Sequence, residues 1–199
     1  MEEIYASSSF WIYENPEILR LVLLPNTRWQ RLASTSTGYI ASDLGDTYPQ
    51  ASGSSSSLLR PKALEFSGDM MIATAAVIKA TGNTAIISEN ADLSENWCEY
   101  LKLNALYPRQ QTTTDGVMTG VPSNNTNLAL KEIIPLKAYA NIPSNLGQDG
   151  PAYSNAAPNY AFQWQSVAEA SVGFAASYGE SGSWSMCYNL FVDKWSFKR

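Results

Sequence analysis

The chain predicts an all-α fold. Apolar residues recur at three- and four-residue spacing in one segment after another, and no alternation of apolar and polar residues is sustained long enough to build a sheet. The helical segments are separated by long polar loops rich in Gly, Ser and Pro. About six helices are expected on this pattern.

The first begins at Asn15, a good N-cap, with Pro16 at the first helical position and Ile18, Leu19, Val22 and Leu23 forming an apolar face. Pro25 is expected to stop it. Residues 34 to 59 then read as one long loop, because Gly38, Gly45, Pro49, Gly53 and the serine run 54–57 all favour turns. From Leu64 to Ala80 the pattern is apolar nearly all round and ends at Gly82, the usual C-terminal capping residue, so this helix is expected to be buried on most sides.

Asp92 to Leu106 is amphipathic, with Leu93, Trp97, Tyr100 and Leu101 inward, Glu95 and Glu99 outward, and Pro108 just beyond. Asn127 to Asn141 is helical in content, but an interior proline costs about 3 kcal/mol, so Pro135 predicts a kink or a split. Tyr153 to Val172 follows, with Pro158 dividing it or marking its first turn. The last helix is placed near Ser183, where Trp184, Tyr188, Phe191 and Trp195 fall on one face and read as core. Cys98 and Cys187, each inside an expected helix, read as two buried free thiols, although spacing alone does not exclude a bond between them.

Composition removes several functions. With 45% hydrophobic residues the chain can bury a real core, and residues 1–199 read as a single region. A net charge of −5 without a basic run leaves no footprint for nucleic acid. No apolar stretch approaches the roughly 20 residues that span a bilayer. The start, Met1-Glu-Glu-Ile, lacks the basic region and hydrophobic stretch of a secretory signal.

There is no histidine, which removes the usual base of Ser-His and Cys-His enzymes and the commonest metal ligand. Two scattered cysteines cannot build a structural zinc site, and no phosphate-binding glycine loop is present. No cofactor and no metal are therefore expected, and any chemistry rests on carboxylates, hydroxyls, amides and lysines. Thr112, Thr113 and Thr114 lack a neighbouring base that would make one of them a nucleophile.

The segment Tyr107-Pro-Arg-Gln-Gln-Thr-Thr-Thr-Asp115, followed by Asn125-Thr-Asn-Leu-Ala-Leu-Lys131, resembles the signature of the fungal glutaminase A family. That signature is a Tyr-Pro, a polar run ending Thr-Asp-Asp, a Gly, then Asn-x-Thr-Asn-Leu-Ala-Leu-Lys. The resemblance runs from about residue 10 to 195 and includes Asn15-Pro16-Glu17, Asp43-Leu44-Gly45 with Tyr48-Pro49, Glu65 before Gly68-x-Met70, and Tyr188-Asn-Leu-x-x-Asp-Lys194. It implies an α/α toroid of six-hairpin type. About a dozen helices close such a ring, so this chain is expected to be a partial or shortened toroid. The apolar surface left open predicts self-association. The resemblance also implies an extracellular protein, and Asn124-Asn125-Thr126 is an N-glycosylation sequon usable only there.

The resemblance places three carboxylates, Asp43, Glu65 and Asp115, at loop-to-helix junctions on one side of the toroid. Amide hydrolysis needs a base to activate water and an acid to protonate the leaving nitrogen, and carboxylates in unlike environments can divide those roles. Asp115 is the expected base and Glu65 the acid, with Asp43 orienting substrate. Asn125, Asn127, Lys131 and Tyr48 are the expected contacts to an amino-acid amide, Lys131 offering a cation to its carboxylate. Each also has a plain structural use: turns for Asp43 and Asp115, a helix N-terminus for Glu65, caps for Asn125 and Asn127, a solvated helix face for Lys131.

The chain departs from the family pattern at three polar positions. Ser42 stands where the family has His, Phe66 where it has a second Glu, and Gly116 where it has a second Asp. Three readings follow: a glutaminase A-like amidohydrolase releasing ammonia from glutamine; an inactive or truncated relative kept as a folding or interaction module; or a carbohydrate-active toroid hydrolase with Trp11, Trp29, Tyr39, Tyr48 and Trp184 stacking on sugars.

Overall fold

A computed structural model describes residues 1–32, 37–53, 62–109, 111–113, 123–142 and 150–197. Its elements are α1 (Glu2–Glu14), α2 (Pro16–Leu32), α3 (Ala63–Thr81), the single turn α4 (Ala85–Ser88), α5 (Ala91–Asn104), α6 (Thr126–Ala140), α7 (Gly150–Ala168) and α8 (Leu190–Phe197). Among the described residues there is no strand, only the isolated bridges Asn125–Ser177 and Glu169–Phe174. No described helix is long and apolar enough to cross a membrane.

Helices α3 and α6 are the centre of the arrangement. The all-round apolar pattern of α3 buries nearly every residue from Ala63 to Ile78, and Gly82 closes the helix at φ 70° with its amide bonded to the Ile78 carbonyl at 2.8 Å. Helix α6 is buried almost as completely. Packed on α3 are α1, α2, α5, α6 and α8, while α5, α7 and α8 also pack on α6. Two cores result. Met70, Met71 and Val77 join Leu19, Leu23, Trp97, Leu128 and Tyr139 in one, and Ile72 joins Ala129, Ile133, Ile134 and Trp164 in the other.

What lets α3 and α6 approach so closely is Gly68. A Cβ on that residue would meet the Lys131 carbonyl oxygen at 2.3 Å. Pro135 lies four residues beyond Lys131 and has no N–H to give it, so this carbonyl is released from the helix ladder and sits over Gly68. The expected split at Pro135 is not observed, and α6 runs unbroken from Thr126 to Ala140. Pro25 and Pro158 are likewise inside continuous helices rather than at their ends. Both prolines are exposed, as are Leu21 and Ser154, whose carbonyls they leave without a helical donor, so these helices meet their prolines on a face open to solvent.

Other expectations need correcting. Helix α1 has no clear apolar stripe because Ser7, Ser8 and Ser9 interrupt it, yet Ser7 and Ser8 bond back to the Glu3 and Tyr5 carbonyls at 2.7 and 2.6 Å while Ile4, Trp11 and Ile12 pack on the core. Glu95 is not outward: it is half-buried and accepts from Tyr139 Oη at 2.8 Å and Tyr153 Oη at 2.5 Å, joining α5 to α6 and α7. Helix α7 ends at Ala168 and the last helix starts only at Leu190, so Cys187 is not helical. Trp184 and Phe191 are largely exposed, not core. Both cysteines are free, Cys98 in the core and Cys187 half-buried.

The long loop is fixed where it meets α2. Asn26 donates to the Ala41 carbonyl at 3.1 Å, Gln30 donates to the Tyr39 carbonyl at 2.7 Å and accepts from the Ala41 amide at 3.3 Å, and Ser67 on α3 accepts from the Ile40 amide. Gly53 lies flat on the Trp29 ring, where a Cβ would come within 2.0 Å. On the outer side, Phe10, Tyr13, Leu21 and Leu32 leave apolar surface of α1 and α2 exposed.

Gly68→Ala is expected to destabilise the fold by about 3 kcal/mol, because backbone rather than a side-chain tip must give way. Chemical denaturation of the two proteins measures the difference, and a Gly68→Ala protein as stable as wild type refutes the close-approach argument.

Candidate functional site

Glu65 and Asp69 stand four residues apart on α3, hence on one face, and Gly68 between them brings that face against α6. Lys131 reaches both carboxylates from α6. Its Nζ is hydrogen-bonded to Asp69 Oδ1, lies 3.4 Å from Glu65 Oε1 and sits 3.3 Å from the centre of the Tyr5 ring. Glu65, Asp69 and Lys131 are each 0% exposed. One ammonium faces two carboxylates, so the group holds its charge balance by keeping a proton.

Burial drives Asp69 up to about 7; the nearby ammonium opposes this and the like charge of Glu65 adds to it. For Lys131, burial works toward the neutral amine, but Asp69 and then Glu65 outweigh it and hold the lysine above its ordinary range as a cation. Tyr5 is raised to about 12, mainly by burial. Such a cluster is well suited to fixing α1, α3 and α6 in register. Sealed as it is, Lys131 is not on a solvated face.

Asp43, Asn125 and Asn127 have partners of their own. Asp43 is exposed and shapes a turn, accepting from the Gly45 amide at 2.8 Å and from Ser42 Oγ at 2.7 Å. Tyr48 is 98% exposed. Asn125 is the N-cap of α6, its side chain accepting from the Leu128 amide at 2.8 Å. Asn127 is buried and ties α6 to the C-terminal segment: its Oδ1 accepts from the Asn189 amide at 3.1 Å and its carbonyl from Asn189 Nδ2 at 2.9 Å. Asp115 lies outside the described residues.

The signature segment does frame an open cleft of about 560 Å³, lined by Tyr107, Arg109, Ser123 and Asn124. Tyr107 meets Tyr178 edge-on at 5.9 Å between ring centres. Asn124 adopts φ 56°, a left-handed conformation that Asn tolerates better than most residues, and its carbonyl accepts from the Tyr178 amide at 3.2 Å. The sequon is packed here, with Thr126 fully buried. Asp69, Arg109, Glu132 and Tyr178 did not stand out in the sequence. For Asp69 a signal existed, since it follows Glu65 by one helical turn.

A family model described as the glutaminase A six helical-hairpin domain matches residues 1–196. The chain belongs to this glutaminase A family. Glutaminase A of Aspergillus oryzae is 30% identical over 200 residues, a match that takes in 98% of this chain and 29% of that protein. A probable glutaminase of Arthroderma benhamiae is 31% identical over 111 residues, 54% of this chain and 13% of that protein. The chain thus spans less than a third of the length of these glutaminase relatives. No solved structure matches it.

Within this glutaminase A-family chain, no group of three or more His, Cys, Asp or Glu gathers to hold a metal ion among the described residues. Trp29 and Tyr39, two of the aromatics considered for sugar stacking, pack instead on Gly53 and Tyr100.

Two outcomes test the buried cluster. Lys131→Met is expected to destabilise by about 3–5 kcal/mol, since it leaves buried carboxylates uncompensated. Asp69 binds its proton more tightly folded than unfolded, so its contribution to stability is complete below about pH 4 and is lost as pH rises toward about 7. Melting temperatures across that window should fall more steeply in wild type than in Asp69→Asn; parallel curves refute the assignment.

Proposed function

We propose that this chain is the helical region of an amidohydrolase that releases ammonia from the side-chain amide of glutamine. The observation that carries this reading is the family match along residues 1–196, with relatives named glutaminase A and probable glutaminase. The cleft at the signature segment supports it, because Arg109 offers a guanidinium to the carboxylate of a free amino acid beside the polar groups of Ser123 and Asn124.

In this reading Asp115, within the same signature segment, is the base that activates water at the amide carbon. Asp43, on its exposed turn, orients the substrate. Glu65, sealed against Lys131, holds the scaffold, and the proton that Asp115 takes from water is the one it returns to the leaving nitrogen as the C–N bond breaks and ammonia departs.

The second reading, an inactive relative retained as a folding module, is favoured by one observation. Glu65 and Lys131, two residues expected to serve catalysis and binding, are enclosed in an ion cluster with no exposed surface.

Glutamate release from L-glutamine by the purified chain decides between them. Activity that falls about a hundredfold or more in Asp115→Asn, with helical content unchanged, is the expected result for the hydrolase. A folded wild-type chain that releases no glutamate supports the inactive relative.

A further inference from the structure

Beneath the cleft lies a concentration of polar atoms that the fold does not satisfy. Both carboxyl oxygens of Glu132, the hydroxyls of Ser177 and Tyr178, and Oδ1 of Asn124 are buried without a hydrogen-bond partner. Tyr178 lies close enough to Glu132 for the two to interact electrostatically. The bridge between Asn125 and Ser177 and the bond from the Tyr178 amide to the Asn124 carbonyl hold the 177–178 segment beside the start of α6. Tyr178 then contacts Tyr107, which lines the cleft. Since more than about 90% of buried polar groups in folded proteins are bonded, a group of this kind marks a place that a polar partner fills.

The chemistry of Glu132 specifies the partner. It is 0% exposed, and burial holds its carboxyl well above the ordinary carboxylate range, with the Leu106 amide opposing. The group is therefore a neutral acid, presenting one O–H donor and one carbonyl acceptor side by side. A primary carboxamide presents the complement, a carbonyl acceptor beside an N–H donor, and the two pair through parallel hydrogen bonds without burying a charge. A carboxylate in the same position would be buried as a charge with no counter-ion among the described residues.

We propose that Glu132 and Tyr178 form an amide-recognition subsite at the inner end of the cleft, with Arg109 at the mouth binding the carboxylate of the same ligand. The inference rests on the glutaminase reading for its choice of ligand, L-glutamine. Glu132 donates to the amide oxygen and accepts from the amide nitrogen, while the Tyr178 hydroxyl bonds the remaining edge. Tyr107, 51% exposed and held only edge-on, is the side chain that swings aside to admit it.

Calorimetric titration with L-glutamine, L-glutamate and propionamide tests this, with glutamate release measured in parallel. Wild type should bind glutamine and discriminate against glutamate. Glu132→Gln keeps a donor beside an acceptor and should bind nearly as well, whereas Glu132→Met should lose about tenfold or more, the worth of at least one hydrogen bond. Arg109→Met, at an exposed position, should weaken glutamine but leave propionamide unchanged, which keeps the test decisive if Glu132→Met does not fold.

Equal glutamine binding by a folded Glu132→Met protein, or no binding of glutamine and propionamide by wild type, overturns the subsite and assigns these atoms to internal water. The glutaminase reading has its own readout. Turnover with unchanged binding in Glu132→Met sinks the subsite alone, and Glu132-dependent amide binding without turnover sinks the hydrolase alone.

Discussion

Everything in this fold depends on how closely α3 and α6 approach at Gly68. With no Cβ between the helices, the Lys131 carbonyl comes to rest on the α3 backbone, and that contact sets the register in which Lys131 meets Glu65 and Asp69. Pro135 belongs to the same device, because it withdraws the N–H that would have held the carbonyl inside α6. Two helices this close leave no room for solvent between them. Each is consequently wrapped by other helices, and each contributes to both cores.

A buried ammonium with two carboxylates is a poor source of net stability, since the desolvation of three ionisable groups offsets most of their attraction. Its value here is specificity. An apolar seam between α3 and α6 could slide by a turn with little penalty, but a one-turn slip would carry Lys131 away from Asp69 and leave charges buried alone. The Tyr5 ring over the ammonium extends the same constraint to α1, a helix whose serine-broken face gives it little apolar grip of its own.

The sequence carried the helical class, the α3 span with its glycine cap, and the burial of α3 on all sides. These are local properties: periodicity, and one left-handed residue. The misjudged features depended on surroundings. An interior proline is tolerated where the carbonyl it strands has somewhere to go: Pro25 and Pro158 lie on exposed faces, and Pro135 leaves its carbonyl on the Gly68 backbone. The aromatic spacing at Trp184, Tyr188 and Phe191 mimics a helical stripe, yet the chain from 183 to 189 is pinned in turns, with the Ser185 amide bonded to the Phe174 carbonyl at 3.0 Å and Asn189 to Asn127. For the site, residue types were legible and exposure was not. Lys131 and Glu65 have the chemistry of ligand-binding groups, and only the Gly68 contact shows that they are spent on each other.

Lys131 and Glu132 are adjacent, and adjacent residues on a helix point about 100° apart. One turn of α6 thereby serves two different buried environments. Toward α1 and α3 the surroundings supply carboxylates, and Lys131 remains a cation. Toward Leu106 and Tyr178 they supply no cation among the described residues, and burial outweighs the Leu106 amide to keep Glu132 an acid. The first environment is chemically complete and therefore structural. The second is incomplete and adjoins the cleft framed by the signature residues, so the inward end of that cleft, rather than the ion cluster, is where this chain has binding capacity left over.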